Sequence, residues 1–165
     1  MNPNKGITAF IRYRIQHFNP RKYWKRYFIV TNPKSHYPKL LRLLYLYYIK
    51  KCDAFNCASL GCNIGGGPVF SDIPNFPHGL NGIIIHPKSV IGKNVTIHQQ
   101  VTLGYRYKYN YAPVIGDNVF IGAGAKILGK IHVGNNVRIG ANAVVVSDVP
   151  DNCTVVGVPA RIIRR

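Results

Sequence analysis

The sequence predicts an all-β fold, a parallel β-helix of hexapeptide repeats entered through a short α-helical segment. The first observation is a period of six, carried by Ile85, Ile91, Ile97, Leu103, then Ile115, Ile121, Ile127, Val133, Ile139 and Val145. The second is a small or aliphatic residue two positions earlier, the series Ser89, Val95, Val101, Val119, Ala125, Ile131, Val137 and Ala143. Neither strand alternation nor the α-helical turn repeats every six residues. Three six-residue faces closing into one triangular coil do. The third is the run KLLRLLYLYYIKKCDAF from Lys39 to about Phe55, with near-helical apolar spacing and no Gly or Pro.

In chain order, residues 1–57 form a basic, aromatic, partly helical N-terminal segment punctuated by Pro20, Pro33 and Pro38. Leu40, Leu41, Leu44, Tyr45, Tyr48 and Ile49 are expected to pack on the prism or on a neighbouring subunit. Lys39, Arg42, Lys50 and Lys51 flank these residues, so peripheral contact with an anionic membrane surface stays open. The β-helix domain spans 58–152, its first coil spaced Ala58, Ile64, Phe70, Phe76, with Pro68 and Pro74 at minus-two positions. Between Phe76 and Ile85 the spacing widens to nine, so Pro77–Gly82 bulges outward. Residues 105–111, Tyr-Arg-Tyr-Lys-Tyr-Asn-Tyr, fit no rung and read as an extruded loop, and a tail occupies 153–165.

Composition narrows the chemistry. Net charge is +17, and the only acids are Asp53, Asp72, Asp117, Asp148 and Asp151, too dispersed for a two-carboxylate hydrolase. The positive charge favours anionic partners. No nucleic-acid motif accompanies it, so no nucleic acid is expected, although a salt-sensitive nucleic-acid binder remains an open reading. Nothing resembles a signal peptide or a bilayer span, which makes a cytoplasmic location the expectation. Cys52, Cys57 and Cys62, spaced by five, together with Cys153, read as buried reduced thiols rather than as a zinc site. No metal is expected.

Stacking by coils puts Phe76, Ile97, Ile121 and Ile139 on one face. The corners that follow them then share an edge: 77–82, His98-Gln99-Gln100, Gly122-Ala123-Gly124 and Gly140-Ala141-Asn142. Small corner residues expose main chain against which a thin ligand such as a pantetheine arm can lie. His78, in the widened turn on that edge, is the candidate general base. His98 and Gln99 are candidate substrate contacts, and Asp72 a candidate partner for His78. His86 and His132 fall on other edges; three histidines do not converge, which excludes the gamma-class carbonic anhydrase chemistry found on hexapeptide helices.

The motifs Gly82-Ile83-Ile84-Ile85, Val101-Thr102-Leu103-Gly104, 121–129 (IGAGAKILG), Ile139-Gly140-Ala141 and Gly157-Val158-Pro159-Ala160-Arg161 resemble the hexapeptide-repeat acyltransferases. The nearest branch is that of serine O-acetyltransferase and the polysaccharide-cluster O-acetyltransferases, and the likeness covers roughly 58–163. The resemblance implies a left-handed parallel β-helix, a homotrimer with active sites between subunits, and acetyl-CoA as donor. It places the general base at His78 and the coenzyme channel at Gly104, Gly122, Ala123 and Ala141, with Arg138 near the coenzyme phosphates and Arg161 in the closing tail. Departures from serine-specific members are the extra residue between His78 and Gly82, Ala112 where a second histidine is usual, and a shorter N-terminal segment. The expected acceptor is therefore a hydroxyl of a sugar or glycan precursor. L-serine, an amino sugar, or a non-catalytic trimeric scaffold are the alternatives.

Overall fold

The computed structural model describes residues 13–15, 17–107 and 110–163. Among the described residues, helices at Pro20–Thr31 (α1) and Lys39–Phe55 (α2) lead into the coils, after a helical turn at 13–15. Asn19 caps α1, its Oδ1 accepting from Lys22 N at 3.1 Å, and Pro20 opens the first turn. The observed α2 has the span its apolar spacing predicts. The helix α1 lies within the segment the sequence marks only as partly helical. Its signal is the Asn19-Pro20 start and the buried set Tyr23, Trp24, Tyr27 and Val30.

The coils consist of two- and three-residue strands: β1 (Val69–Phe70), β2 (Ile84–Ile85), β3 (Val90–Ile91), β4 (Thr96–Ile97), β5 (Thr102–Gly104), β6 (Val114–Ile115), β7 (Phe120–Ile121), β8 (Lys126–Leu128), β9 (His132–Val133), β10 (Arg138–Ile139), β11 (Val144–Val145), β12 (Thr154–Val156) and β13 (Arg161–Ile163). They form three sheets in the orders β1-β3-β6-β9, β2-β5-β8-β11 and β4-β7-β10-β12-β13, parallel except for the antiparallel β12–β13 pair. The register is the predicted one: Ile85, Leu103, Ile127 and Val145 stack, as do Phe70, Ile91, Ile115 and Val133, and Ile97, Ile121 and Ile139; Val155, assigned to the tail from sequence, adds one more parallel rung on Ile139. Nearly all of these point inward and are buried, each worth about 1.5–3 kcal/mol of apolar burial. The minus-two residues are buried as well, Ser89 included.

The first coil starts differently from expectation. Ser59 bridges to Ile84, so Leu60, fully buried, takes the inward place beneath Ile85, and Ala58 is the minus-two residue. The stretch 61–67, Gly-Cys-Asn-Ile-Gly-Gly-Gly, then departs from six-residue spacing before Phe70 restores it.

At the corners after β3, β6 and β9, Asn94, Asn118 and Asn136 adopt φ of 52°, 56° and 56°. Asparagine tolerates this left-handed region better than branched residues. Their amides form a ladder that runs from Asn94 through Asn118 and Asn136 to Asn152, with bonds of 2.9, 3.2 and 3.0 Å.

The helices close the open end of the prism. Trp24 stacks on Phe76 at 6.1 Å and meets Phe70 edge-on at 5.1 Å, while Tyr27 Oη donates to Leu60 O at 2.8 Å. This covers strand edges that would otherwise be free to pair. Packing of α2 on this chain's own prism is partial. Ile49 is buried and Tyr45 and Tyr48 are partly so, but Leu40 and Leu44 are 71% and 58% exposed. No helix among the described residues is long and apolar enough to cross a membrane.

Candidate active site

The four corners predicted to share an edge do stack. Gln100 N donates to Asn81 O at 2.8 Å, Gly124 N to Gln99 O at 2.9 Å, and Asn142 N to Ala123 O at 2.8 Å. Close approach explains the small residues. A Cβ on Gly122 would lie 2.6 Å from Ala141 N, closer than any side chain tolerates, so coil separation at this corner requires glycine. Ala123 and Ala141 thus form a column of short side chains, with Gly122 buried beneath it.

His78 stands at the foot of that column, in the bulged turn, with its side chain exposed. Its ring lies 5.6 Å from that of His98, which in turn lies 4.9 Å from Phe120. The Arg138 guanidinium sits 5.6 Å over the other end of the row, on the Phe120 ring. Phe120 and Arg138 are the outward residues of neighbouring strands β7 and β10. Below, His78 opens onto a recess of about 350 Å³ lined by Ile15, Phe55, Asn56, Cys57 and Asn81. Gln99 Oε1 is buried with no hydrogen-bond donor among the described residues. A bound N–H or O–H group would satisfy it.

All five carboxylates are committed elsewhere. Asp117, Asp148 and Asp151 accept from backbone N–H groups of Lys93, His132 and Asn135, at 2.7, 2.7 and 2.8 Å. Asp53 is buried beneath the helices, where Tyr23 Oη donates to it at 2.7 Å. Asp72, the expected partner for His78, turns back on its own loop and accepts from Ile73 N at 2.7 Å. The exposed loop position explains this, because the adjacent N–H is the nearest donor. Among the described residues, no carboxylate hydrogen-bonds His78 within this chain.

Other predicted residues fall apart from the column. Gly104 ends β5 and pairs with Leu128, one strand away from the corner edge. It lines a separate recess of about 360 Å³ with Lys50, Ser59, His86 and Tyr105. Arg161 lies exposed on β13, opposite Val156, at the far end of the β4-β7-β10 sheet. Phe120 and the Asn56–Cys57 floor are site features that sequence reasoning missed. Phe120 was legible as the outward neighbour of inward Ile121, on the face that carries Arg138.

The cysteines divide. Cys52 and Cys62 are buried, and burial pushes the Cys62 thiol up to about 12, leaving it protonated and inert. Cys57 is exposed at the recess, contrary to the expectation of a buried thiol, because it lies in the turn just beyond the end of α2.

Comparison with known proteins agrees with this architecture. A family model described as bacterial transferase hexapeptide (six repeats) matches residues 112–147. A serine acetyltransferase of Synechococcus elongatus is 36% identical over 162 residues, covering 97% of this chain and 57% of its own. One from Staphylococcus aureus strain Mu50 is 51% identical over 90 residues, 53% of this chain and 42% of its own. Among solved structures, the serine acetyltransferase of Brucella abortus strain S19 superposes with a TM-score of 0.71 at 31% identity, covering 88% of this chain and 55% of that one. The Neisseria gonorrhoeae enzyme in complex with serine gives 0.60 at 35% identity, covering 94% and 56%. The chain spans about half the length of these relatives. With the repeat register, the stacked glycine corners and the helical cap, these likenesses show that the chain belongs to the hexapeptide-repeat, serine acetyltransferase-like family.

Proposed function

We propose that this protein is an acetyl-CoA-dependent O-acetyltransferase with His78 as general base, working as a homotrimer whose neighbouring subunits complete each site. The observation that carries the reading is the exposed His78 imidazole beside His98, at the foot of a column of small residues whose surface is formed by Ala123 and Ala141, with buried Gly122 letting the coils approach. A pantetheine arm laid along that column delivers its thioester to the imidazole. His78 removes the acceptor hydroxyl proton while the oxygen attacks the thioester carbonyl. A main-chain N–H of the column steadies the oxyanion. Collapse breaks the C–S bond, and the proton held by His78 passes to the departing thiolate. The products are an acetyl ester and free coenzyme A thiol. Arg138, at the upper end of the row, is suited to a coenzyme phosphate, and Gln99 to a donor on the bound ligand.

For the acceptor, similarity favours L-serine over the glycan hydroxyl expected from the sequence. The relatives carry the serine acetyltransferase name, and one solved relative is described in complex with serine. One observation favours a glycan as second reading: Tyr105, Tyr107 and Tyr111 are exposed around the loop, with Arg106 over the Tyr107 ring at 4.8 Å. Exposed aromatic rings suit the apolar faces of sugars. Release of free thiol from acetyl-CoA, measured with L-serine, with neutral sugars and with amino sugars, separates the readings. Acceptor-dependent release supports the enzyme, with the acceptor named by the fastest arm. Tight acetyl-CoA binding without release to any acceptor favours the scaffold and contradicts the proposal.

A further inference from the structure

We propose that the outward face of α2 docks on an anionic lipid bilayer. The inference rests on the surface of the helical cap and is independent of the acetyl-transfer reading. Leu40, Leu43, Leu44 and Tyr47, spaced as one helical face, are 71%, 44%, 58% and 68% exposed. The core contacts of the same helix, Ile49 and Cys52, lie on the opposite side. Tyr37, 45% exposed, precedes the stripe. A run of large apolar side chains left in water along a whole helix marks an interaction surface.

Charge selects the occupant. The first 52 residues contain 12 Lys and Arg and no Asp or Glu. The next residue, Asp53, is buried against Tyr23, so the helical cap presents no carboxylate to solvent. Lys39 and Lys50 flank the stripe and Lys51 continues it, all three exposed. Long basic side chains at the rim of an apolar face hold their stems along the acyl boundary and their ammonium groups among headgroups. Beside the stripe, Arg14, Lys22, Arg26 and Tyr48 border a hollow of about 540 Å³, a place for a headgroup phosphate. Tyr48 joins the two features, being next to Tyr47 in α2 and 3.9 Å below the Arg26 guanidinium. A two-fold dimer through this face fits less well, because like faces would oppose Lys39, Lys50 and Lys51 with no acid to answer them. Nucleic acid would satisfy the cations and leave the leucines wet.

The test is co-sedimentation of the full chain with vesicles of phosphatidylcholine containing roughly 30% phosphatidylglycerol, against phosphatidylcholine alone. Partitioning at least about tenfold stronger on the anionic vesicles is expected, falling as salt is raised. The triple variant Leu40→Asn, Leu44→Asn, Tyr47→Asn abolishes it, and Lys39→Gln, Lys51→Gln lowers it about fivefold or more. Each variant keeps the wild-type melting curve, since all five side chains are exposed; Leu44→Asn alone serves if the triple variant fails to fold. The proposal is overturned if the wild-type chain ignores anionic vesicles, binds both compositions equally, or is unaffected by the Asn variants. It is equally overturned if the Asn triple instead splits a larger oligomer in sedimentation equilibrium, which would assign the stripe to a second copy.

Discussion

Asp53 makes a sharp probe of the helical cap, because it is a buried carboxylate with few compensating contacts. Burial raises its pKa from an ordinary 3.8 to about 6, opposed by the hydrogen bond from Tyr23, the backbone N–H of Leu60 and the charge of Lys50. A raised carboxylate pKa means that the folded state prefers the protonated form. Between about pH 4 and 6 the unfolded chain loses this proton and the folded chain keeps it, so stability falls as pH rises through that window and is level above it. The interval from 3.8 to about 6, at about 1.4 kcal/mol per pH unit, amounts to about 3 kcal/mol. Asp53→Asn keeps an oxygen for Tyr23 Oη and removes the titration. Urea unfolding of both proteins across the window measures the difference between variant and wild type. That difference should climb in the variant's favour by about 3 kcal/mol from acid to neutral pH, whatever constant offset the new amide adds. Parallel profiles would refute the assignment of a buried, unpaired carboxylate beneath the floor of the His78 recess.

Two further outcomes follow from the coils and the row above His78. Asn118→Ala loses the amide bonds to Asn94 and Asn136 and forces alanine to a φ of 56°, so urea unfolding should show a loss of about 2–3 kcal/mol. Asn118→Gly relieves the backbone and loses only the bonds, so it should fall between alanine and wild type. Arg138→Gln should raise KM for acetyl-CoA about five- to tenfold, with kcat within about twofold, since the guanidinium lies at the far end of the row from His78. Steady-state kinetics at saturating acceptor measures it.

The coils were legible because their geometry is periodic. Ile115 and Val133 are 18 residues apart, one full coil, and Ile91 joins their face once the loop 105–111 is treated as an excursion. The edge beside His78 was legible for the same reason, once the widened turn 77–82 and the loop 105–111 were treated as corner excursions. What failed was information that periodicity does not hold. In α2, apolar residues occur around most of the circumference, so spacing identifies a helix without saying which side meets the core; Leu40 and Leu44 turned outward and Ile49 and Cys52 inward. In α1 the dense cations Arg21, Lys22, Lys25 and Arg26 obscured the buried aromatic face of Tyr23, Trp24 and Tyr27. Leu60 displaced Ala58 because a larger side chain fills the inward place beneath Ile85. Gly104 and Asp72 lie off the His78 edge of this chain for local reasons: one follows a strand on a different edge, and the other accepts from the N–H of Ile73.

The most direct measurement is acetyl transfer by His78→Ala alongside acetyl-CoA affinity in the same preparation. Loss of turnover by about 100-fold or more, with coenzyme affinity within about twofold, is the result expected of a general base at the foot of an intact coenzyme groove. Turnover near that of the wild-type chain would contradict it, and would mean that the proton is taken by some other group.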